Sequence, residues 1–212
     1  MRPLVATEQL RHSISSGQFQ PGHKLNETDL AATLGISRNT LRESFATLTS
    51  QGILTYIPNR GVFISSPTLS QMRDIYISRA HLEPAALLWG DHLDAAALDA
   101  IVSTAEAALT AGDFRAVADA NQLFHRQVVD ASGSDISNEF MSRILALMRL
   151  AFLGISEHMP DFHAEFVAQN RHVADLVAAD DRPRAADILR SYLLETRERL
   201  ASFLTEDPVY GT

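Results

Sequence analysis

The chain has 212 residues, 46% of them apolar and 21% charged, which is enough apolar side chain for one large core or two modest ones and too much for a disordered low-complexity chain. It contains no cysteine, which excludes disulfides and thiolate chemistry, and no stretch approaches the ~20 apolar residues of a membrane-spanning helix. The net charge of −8 divides unevenly: residues 1–72 hold 6 Lys and Arg against 4 Asp and Glu, a balance of +2, and residues 73–212 hold 12 against 22, a balance of −10. An acidic body repels a phosphate backbone, so any contact with nucleic acid is expected in the first 72 residues. The start of the chain, Met1 to Glu8, has no apolar run of signal-peptide length. The expectation is a cytoplasmic protein with no membrane partner.

In chain order, the first informative segment runs from Asn26 to Ser50. Asn26 is placed to cap a helix whose first turn carries Glu27 and Asp29, carboxylates that suit the positive end of the helix dipole. Gly35-Ile36-Ser37 reads as a tight turn, with Ser37 capping a second helix that begins at Arg38. Leu41, Phe45 and Leu48 form the apolar stripe of that helix, while Arg38 and Arg42, four apart, are neighbours on its surface with Asn39 beside them. Two helices joined by a short glycine turn predict a helix-turn-helix, whose second helix offers its N-terminal residues to base edges in the major groove. Two β-prone runs follow, Gly52–Ile57 and Val62–Ser65, around Pro58-Asn59-Arg60-Gly61. They predict a hairpin, a wing with Arg60 at its tip.

Ser65-Ser66-Pro67-Thr68 ends the hairpin, and Thr68 with Gln71 has capping-box spacing. A boundary there gives two domains, 1–67 and 68–212. Beyond it, helical periodicity is interrupted only at His92-Leu93-Asp94, Gly112-Asp113, Ser132-Gly133-Ser134, Met159-Pro160 and Asp180-Asp181-Arg182. The predicted helices are 69–90, 95–111, 114–131, 136–153, 162–179 and 183–204, which with short connections make an antiparallel bundle. The predicted fold class is therefore mainly α, an N-terminal winged helix-turn-helix followed by an all-α antiparallel bundle. His81, His92, His158 and His163, taken singly, read as ordinary interior or surface residues.

Many fixed spacings in the first part carry a resemblance. Ile14-x-x-Gly17-x-Phe19-x-Pro21-Gly22-x-x-Leu25-x-Glu27 is followed by Leu30-Ala31-x-x-Leu34-Gly35-Ile36-Ser37-Arg38. Leu41-Arg42-Glu43, Leu48-x-x-Gln51-Gly52-Ile53-Leu54 and Asn59-Arg60-Gly61-Val62-Phe63 then complete the pattern. It resembles the winged-helix domain of GntR-family transcription regulators. The resemblance implies base and phosphate contacts for Arg38 and Arg42, polar contacts beside them for Ser37 and Thr40, and a close backbone approach to DNA for Gly61. Thr28 stands where some relatives carry a phosphate-binding arginine. One such domain reads only a few base pairs, too few for specificity against competing genomic sites, so a homodimer on a palindromic operator is expected.

The second part is similar to the FCD domain of the FadR-type branch. The residues that carry the likeness are Arg79-x-x-Leu82-Glu83, Phe124-His125, Arg171-His172, and Ala178-x-Asp180 through Ala186. Many such domains hold a divalent metal by an Asp-x-x-x-His pair and two later histidines. The matching positions here are Asn121, His125, His172 and Tyr192, so a zinc or nickel site at Asn121, His125 and His172 is expected to be incomplete. With or without metal, Asn121, His125, His172 and Tyr192 are expected to line a polar pocket. The branch senses small organic acids, which makes Arg79 the first candidate to meet an anionic effector and Arg149 the second. Arg79 has the alternative of pairing with Glu83 one turn on. The function implied is a sequence-specific DNA-binding transcription regulator, a repressor by analogy, modulated by an organic-acid effector. The rival readings are a metal-dependent helical enzyme, for which no His-Glu-x-x-His or Ser-His-Asp signature is found, and a DNA-binding protein without a ligand.

Overall fold

The computed structural model describes residues 3–156, 159, 161–204 and 207; His158 and Pro160 lie outside them. The chain divides into two compact units. The first comprises residues 1–68 together with Arg143–Gly154, and the second Leu69–Ser142 and Ile155–Leu204. The division thus falls after Thr68, but it assigns part of a later helix to the N-terminal unit.

The first unit opens with a helix not among the predicted elements, α1 (Pro3–Ser15). Ala6, Leu10 and Ile14, spaced four apart, bury one stripe of it completely. Next come α2 (Glu27–Leu34) and α3 (Arg38–Ser50). The Asn26 side chain accepts hydrogen bonds from the Thr28 and Asp29 N–H groups, satisfying two donors at the start of α2. Gly35 ends α2 at φ 64°, a left-handed conformation that glycine adopts without Cβ strain. Ser37 caps α3 by accepting from the Thr40 N–H. Strands β1 (Leu54–Ile57) and β2 (Gly61–Ile64) pair antiparallel with Leu54 opposite Ile64 and Ile57 opposite Gly61. Residues 22–25 add to the sheet edge, for the Leu25 N–H donates to Val62 O and the Ile64 N–H to His23 O. The core joins Leu10 and Ile14 of α1, Leu41, Phe45 and Leu48 of α3, and Leu54 and Ile64 of the hairpin. Ala146 and Leu150 seal it. This is a winged helix-turn-helix.

The second unit is built from α4 (Leu69–Trp89), α5 (Ala95–Thr110), α6 (Phe114–Asp130), part of α7 (Asp135–Ser156), α8 (Ala164–Ala178), α9 (Arg182–Arg199) and a 3-10 turn at Leu200–Ser202. Aspartates 94, 113 and 181 cap α5, α6 and α9 by accepting from backbone N–H groups one turn on. Helix α4 lies along α9, and α5 packs on α6 and α8. Gly90 permits a tight passage just after α4. A Cβ there would stand 2.4 Å from Ala86 O and 2.5 Å from Ala131 O. Among the described residues, no helix is long and apolar enough to cross a membrane.

Candidate nucleic-acid interface and buried polar site

In the first unit, the residues expected to meet DNA lie at the start of α3 and at the tip of the wing. Ser37, Arg38, Asn39, Arg42 and Arg60 are exposed, and Thr40 and Gly61 are half-buried. The Ser37 and Thr40 hydroxyls are 2.9 Å apart, and Asn39 Nδ2 donates to Glu43 Oε1 at 2.9 Å. Arg42 Nε donates to Glu27 Oε2 at 2.9 Å while its side chain remains 71% exposed. That surface pair is held weakly enough for a phosphate to compete with it. Arg38 has no ion-pair partner among the described residues, so its guanidinium fork is free for a base edge. Asn59 (φ 62°) and Gly61 (φ 108°) turn the wing tip, and the Arg60 guanidinium lies 5.1 Å from the centre of the Phe63 ring, held by a cation–π contact.

One cationic residue here escaped the sequence reading. Lys24, exposed, runs its stem past the wing glycine, with Cε 3.4 Å from where a Gly61 Cβ would sit. Lys24, Asn26, Asn59 and Arg60 flank a groove of about 630 Å³ beside the start of α2. The sequence signal was one isolated lysine in a turn. Its significance depends on the edge pairing of residues 22–25 with β2, which brings it to the wing.

In the second unit, a chain of buried polar side chains crosses four helices. Arg79 of α4 donates from Nε to Glu83 Oε1 at 2.5 Å, one turn on. Glu83 Oε2 lies 2.7 Å from His125 Nδ1 on α6. His125 Nε2 lies 3.2 Å from the hydroxyl of Tyr192 on α9, which is 2.8 Å from Asn170 Oδ1 on α8. Asn170 Nδ2 is 2.9 Å from Asn121 Oδ1 on α6. All six are buried. The Tyr76 ring lies 4.8 Å from the Arg79 guanidinium.

Burial and charge act together on these groups. Burial works to raise the Glu83 carboxyl, but Arg79 and His125 outweigh it and hold the group below its ordinary value. Burial likewise works to lower Arg79, and Glu83 outweighs it, so the guanidinium stays charged. For His125 burial prevails over the attraction of Glu83, and the ring is shifted toward the neutral form. Burial pushes the Tyr76 phenol up to about 12 and Tyr192 well above its ordinary value.

A phenol has one proton, which limits the arrangements of this chain. If His125 is neutral, Nδ1–H donates to Glu83 and Nε2 accepts from Tyr192, with both amides turned so that their N–H groups point back along the chain. If His125 is charged, both ring nitrogens donate and Tyr192 gives its proton to Asn170. Burial favours the first. One donor is left over: Arg79 Nη2 is buried with no hydrogen-bond partner.

Four of the residues assigned to the pocket from sequence, Arg79, Asn121, His125 and Tyr192, meet in this chain, and the other two do not. His172 is exposed. The inward position on α8 belongs to Asn170, two residues earlier and about 200° round the helix. Arg149 lies in the first unit, where its Nε donates to Ser15 O at the C-terminal end of α1. That is a capping role, in which a cation meets the negative helix end. The buried polar cluster thus holds Glu83, Asn170 and Tyr76 beside those four, and not His172 or Arg149. Asn170 had no signal of its own, since a lone asparagine in a helix two residues before a histidine carries none.

The residues present do not fit a resident metal. Two neutral amides, a phenol held protonated and one imidazole make a poor ligand set. Both imidazole nitrogens already face hydrogen-bond partners, and among the described residues no group of three or more His, Cys, Asp or Glu side chains is placed to hold an ion.

The fold and these two sites define a DNA-binding regulator, and the comparisons agree. Residues 5–64 match the bacterial regulatory proteins of the gntR family, and residues 74–195 match the FCD domain. The chain belongs to the gntR family of transcriptional regulators and carries that family's FCD effector-binding domain. It is 27% identical over 204 residues to the uncharacterized HTH-type transcriptional regulator YdhC of Bacillus subtilis, covering 93% of this chain and 90% of that one. It is 26% identical over 206 residues to the HTH-type transcriptional repressor GlaR of Escherichia coli, covering 87% and 89%. A crystal structure of a GntR transcriptional regulator from Rhodococcus sp. RHA1 superposes with a TM-score of 0.84 at 28% identity, over 94% of this chain and 97% of that one. These relatives are regulators, not enzymes.

Proposed function

We propose that the protein is a repressor that binds a palindromic operator as a homodimer and releases it when a small organic anion enters the second unit. Arg38 and Arg42 read base edges and phosphates from the start of α3, with Ser37, Asn39 and Thr40 beside them. Arg60 and Gly61 approach the adjoining groove. Dimerisation through the helical unit supplies the second half-site that one winged helix cannot read alone. The name of GlaR, a repressor similar over most of both chains, supports repression.

The observation that carries the effector reading is Arg79 Nη2, a charged donor sealed in the unit without an acceptor. An unmade hydrogen bond of this kind costs about 1–3 kcal/mol, which an acceptor oxygen of a carboxylate recovers. Glu83 already balances the guanidinium charge on one side, so what Nη2 offers the acid is a hydrogen bond and not an unpaired charge.

Two measurements test this. Selection from a random oligonucleotide pool at moderate salt should enrich an inverted repeat. Adding small carboxylates to the protein–operator complex should identify one that weakens it, and linkage requires the operator to weaken that acid's binding by the same factor, typically ~1–3 kcal/mol. Enrichment of no sequence refutes the DNA reading. An operator complex indifferent to every carboxylate, and equally tight with Arg79→Met, refutes the effector reading alone.

A further inference from the structure

We propose that the second unit has exchanged the metal of its family for a chain of hydrogen bonds, and that its ligand site works without any divalent ion. The positions that correspond to a four-ligand site are Asn121 and His125 on α6, the inward residue of α8 and Tyr192 on α9. The inward residue is Asn170, so three of the four donors are neutral groups that do not ionise at ordinary pH. The interhelical work that an ion would do is done instead by direct bonds: Asn170 to Asn121, Tyr192 to Asn170, and Tyr192 to His125.

The imidazole decides the matter. A metal-bound histidine donates its second N–H to a carboxylate, and the 2.7 Å contact of His125 Nδ1 with Glu83 has that form. The nitrogen left for an ion is Nε2, and it faces the Tyr192 hydroxyl. In the neutral arrangement its lone pair accepts the phenol proton, and in the charged arrangement it bears a proton of its own. Neither state leaves a lone pair for a metal. Charge acts in the same direction. Glu83 is the one carboxylate in the chain, and Arg79, 2.5 Å away, already neutralises it. A divalent ion would bring uncompensated positive charge to a buried guanidinium. The claim is separate from the choice of effector. It does require that any acid reaching Arg79 binds without a metal bridge.

The test uses the full-length protein, free of any histidine tag and purified without chelator from cells supplied with zinc, nickel and manganese. Elemental analysis is expected to find no stoichiometric metal, and neither EDTA nor added ZnCl2, NiCl2 or MnCl2 should move the melting temperature. Cobalt chloride should give no ligand-field absorption. The triple variant Asn121→Asp, Asn170→His, Tyr192→His rebuilds a carboxylate and three imidazoles. It should take up one equivalent of cobalt or zinc and gain about 5–15 °C in melting temperature with saturating metal. If that variant does not fold, the wild-type measurements stand alone. One tightly held equivalent in the wild-type protein, with melting lowered by EDTA, overturns the proposal.

Discussion

Replacing Glu83 by Gln tests the buried ion pair most directly. The substitution keeps the shape of the side chain and a hydrogen-bonding group but removes the charge. Arg79 and Glu83 are 1% and 0% exposed, and Nε meets Oε1 at 2.5 Å, so solvent screens neither the attraction nor its loss. Glu83→Gln leaves a guanidinium in a low-dielectric interior without a counter-charge, for which the expected cost is about 3–5 kcal/mol. In a protein of this size that is a fall of about 6–20 °C in melting temperature. The double variant Arg79→Met, Glu83→Leu removes both charges and should recover most of the loss. What it should retain is the penalty of a His125 Nδ1–H that has lost its acceptor, about 1–3 kcal/mol. Urea unfolding followed by circular dichroism, on wild type, Arg79→Met, Glu83→Leu and their double, gives the coupling energy, with Glu83→Gln measured beside them. A Glu83→Gln protein within about 1 kcal/mol of wild type would show that the interior tolerates the lone cation and that Glu83 is not needed to balance Arg79.

Three further outcomes are expected. Arg38→Ala should weaken operator binding by about 1–3 kcal/mol and relax the preference at one base position, whereas Lys24→Ala should weaken all sequences alike and lower the salt slope by about one. Wild-type affinity in folded Arg38→Ala, or an unchanged slope with Lys24→Ala, removes the corresponding contact. Folding stability should fall on acidification: His125 is held below its ordinary 6.5 and Glu83 below its ordinary 4.5, so the unfolded chain takes up protons first. The histidine share appears below pH 6.5 and should vanish in His125→Gln; a rise in wild-type stability over that window would select the charged arrangement of the ring. Gly90→Ala places a Cβ against two carbonyl oxygens that belong to the backbone, and with no flexible side chain to yield it should cost about 1–3 kcal/mol in thermal melting.

Much of the winged helix was legible because its signals are local. Asn26, Gly35 and Ser37 fix the ends of two helices by hydrogen bonds within a few residues, and Asn59 with Gly61 fixes the hairpin. Capped boundaries elsewhere follow the same logic at Asp94, Asp113 and Asp181. Helix α1 rests on periodicity instead. Its evidence is the four-residue spacing of Ala6, Leu10 and Ile14, which was there to be counted. The polar site was half legible. Arg79 with Glu83 and Asn121 with His125 are i, i+4 pairs, so each comes to one helix face by geometry alone. Which residue of α8 faces them is a matter of rotation about the helix axis, and a histidine two places away from the inward position looks the better ligand on paper while lying on the opposite side. Arg149 shows the other limit. A buried arginine suggests an anion, but only the assignment of residues 143–154 to the first unit reveals that its acceptor is the carbonyl end of α1.

The polar chain also bears on why the second unit is a ligand-binding module and not a plain scaffold. Six polar side chains buried across four helices give less stability than well-packed apolar residues of the same volume would, because each must be desolvated before it is paired. As a purely structural device the arrangement would end with its buried charged donor satisfied, as the links from Glu83 to Asn170 are. It does not end so at Arg79, where a permanently charged group keeps an N–H without an acceptor beside an otherwise closed network. That one open valence is where the energy of a ligand would be realised, and it lies at the α4 end of a chain that ties α6, α8 and α9 together. An anion that drew on Arg79 would compete with Glu83 for the guanidinium, and Glu83 in turn holds His125. A ligand at one helix would then be felt at the other three through bonds already in place, and it would shift an equilibrium only so far as it bound one arrangement of them more tightly than another.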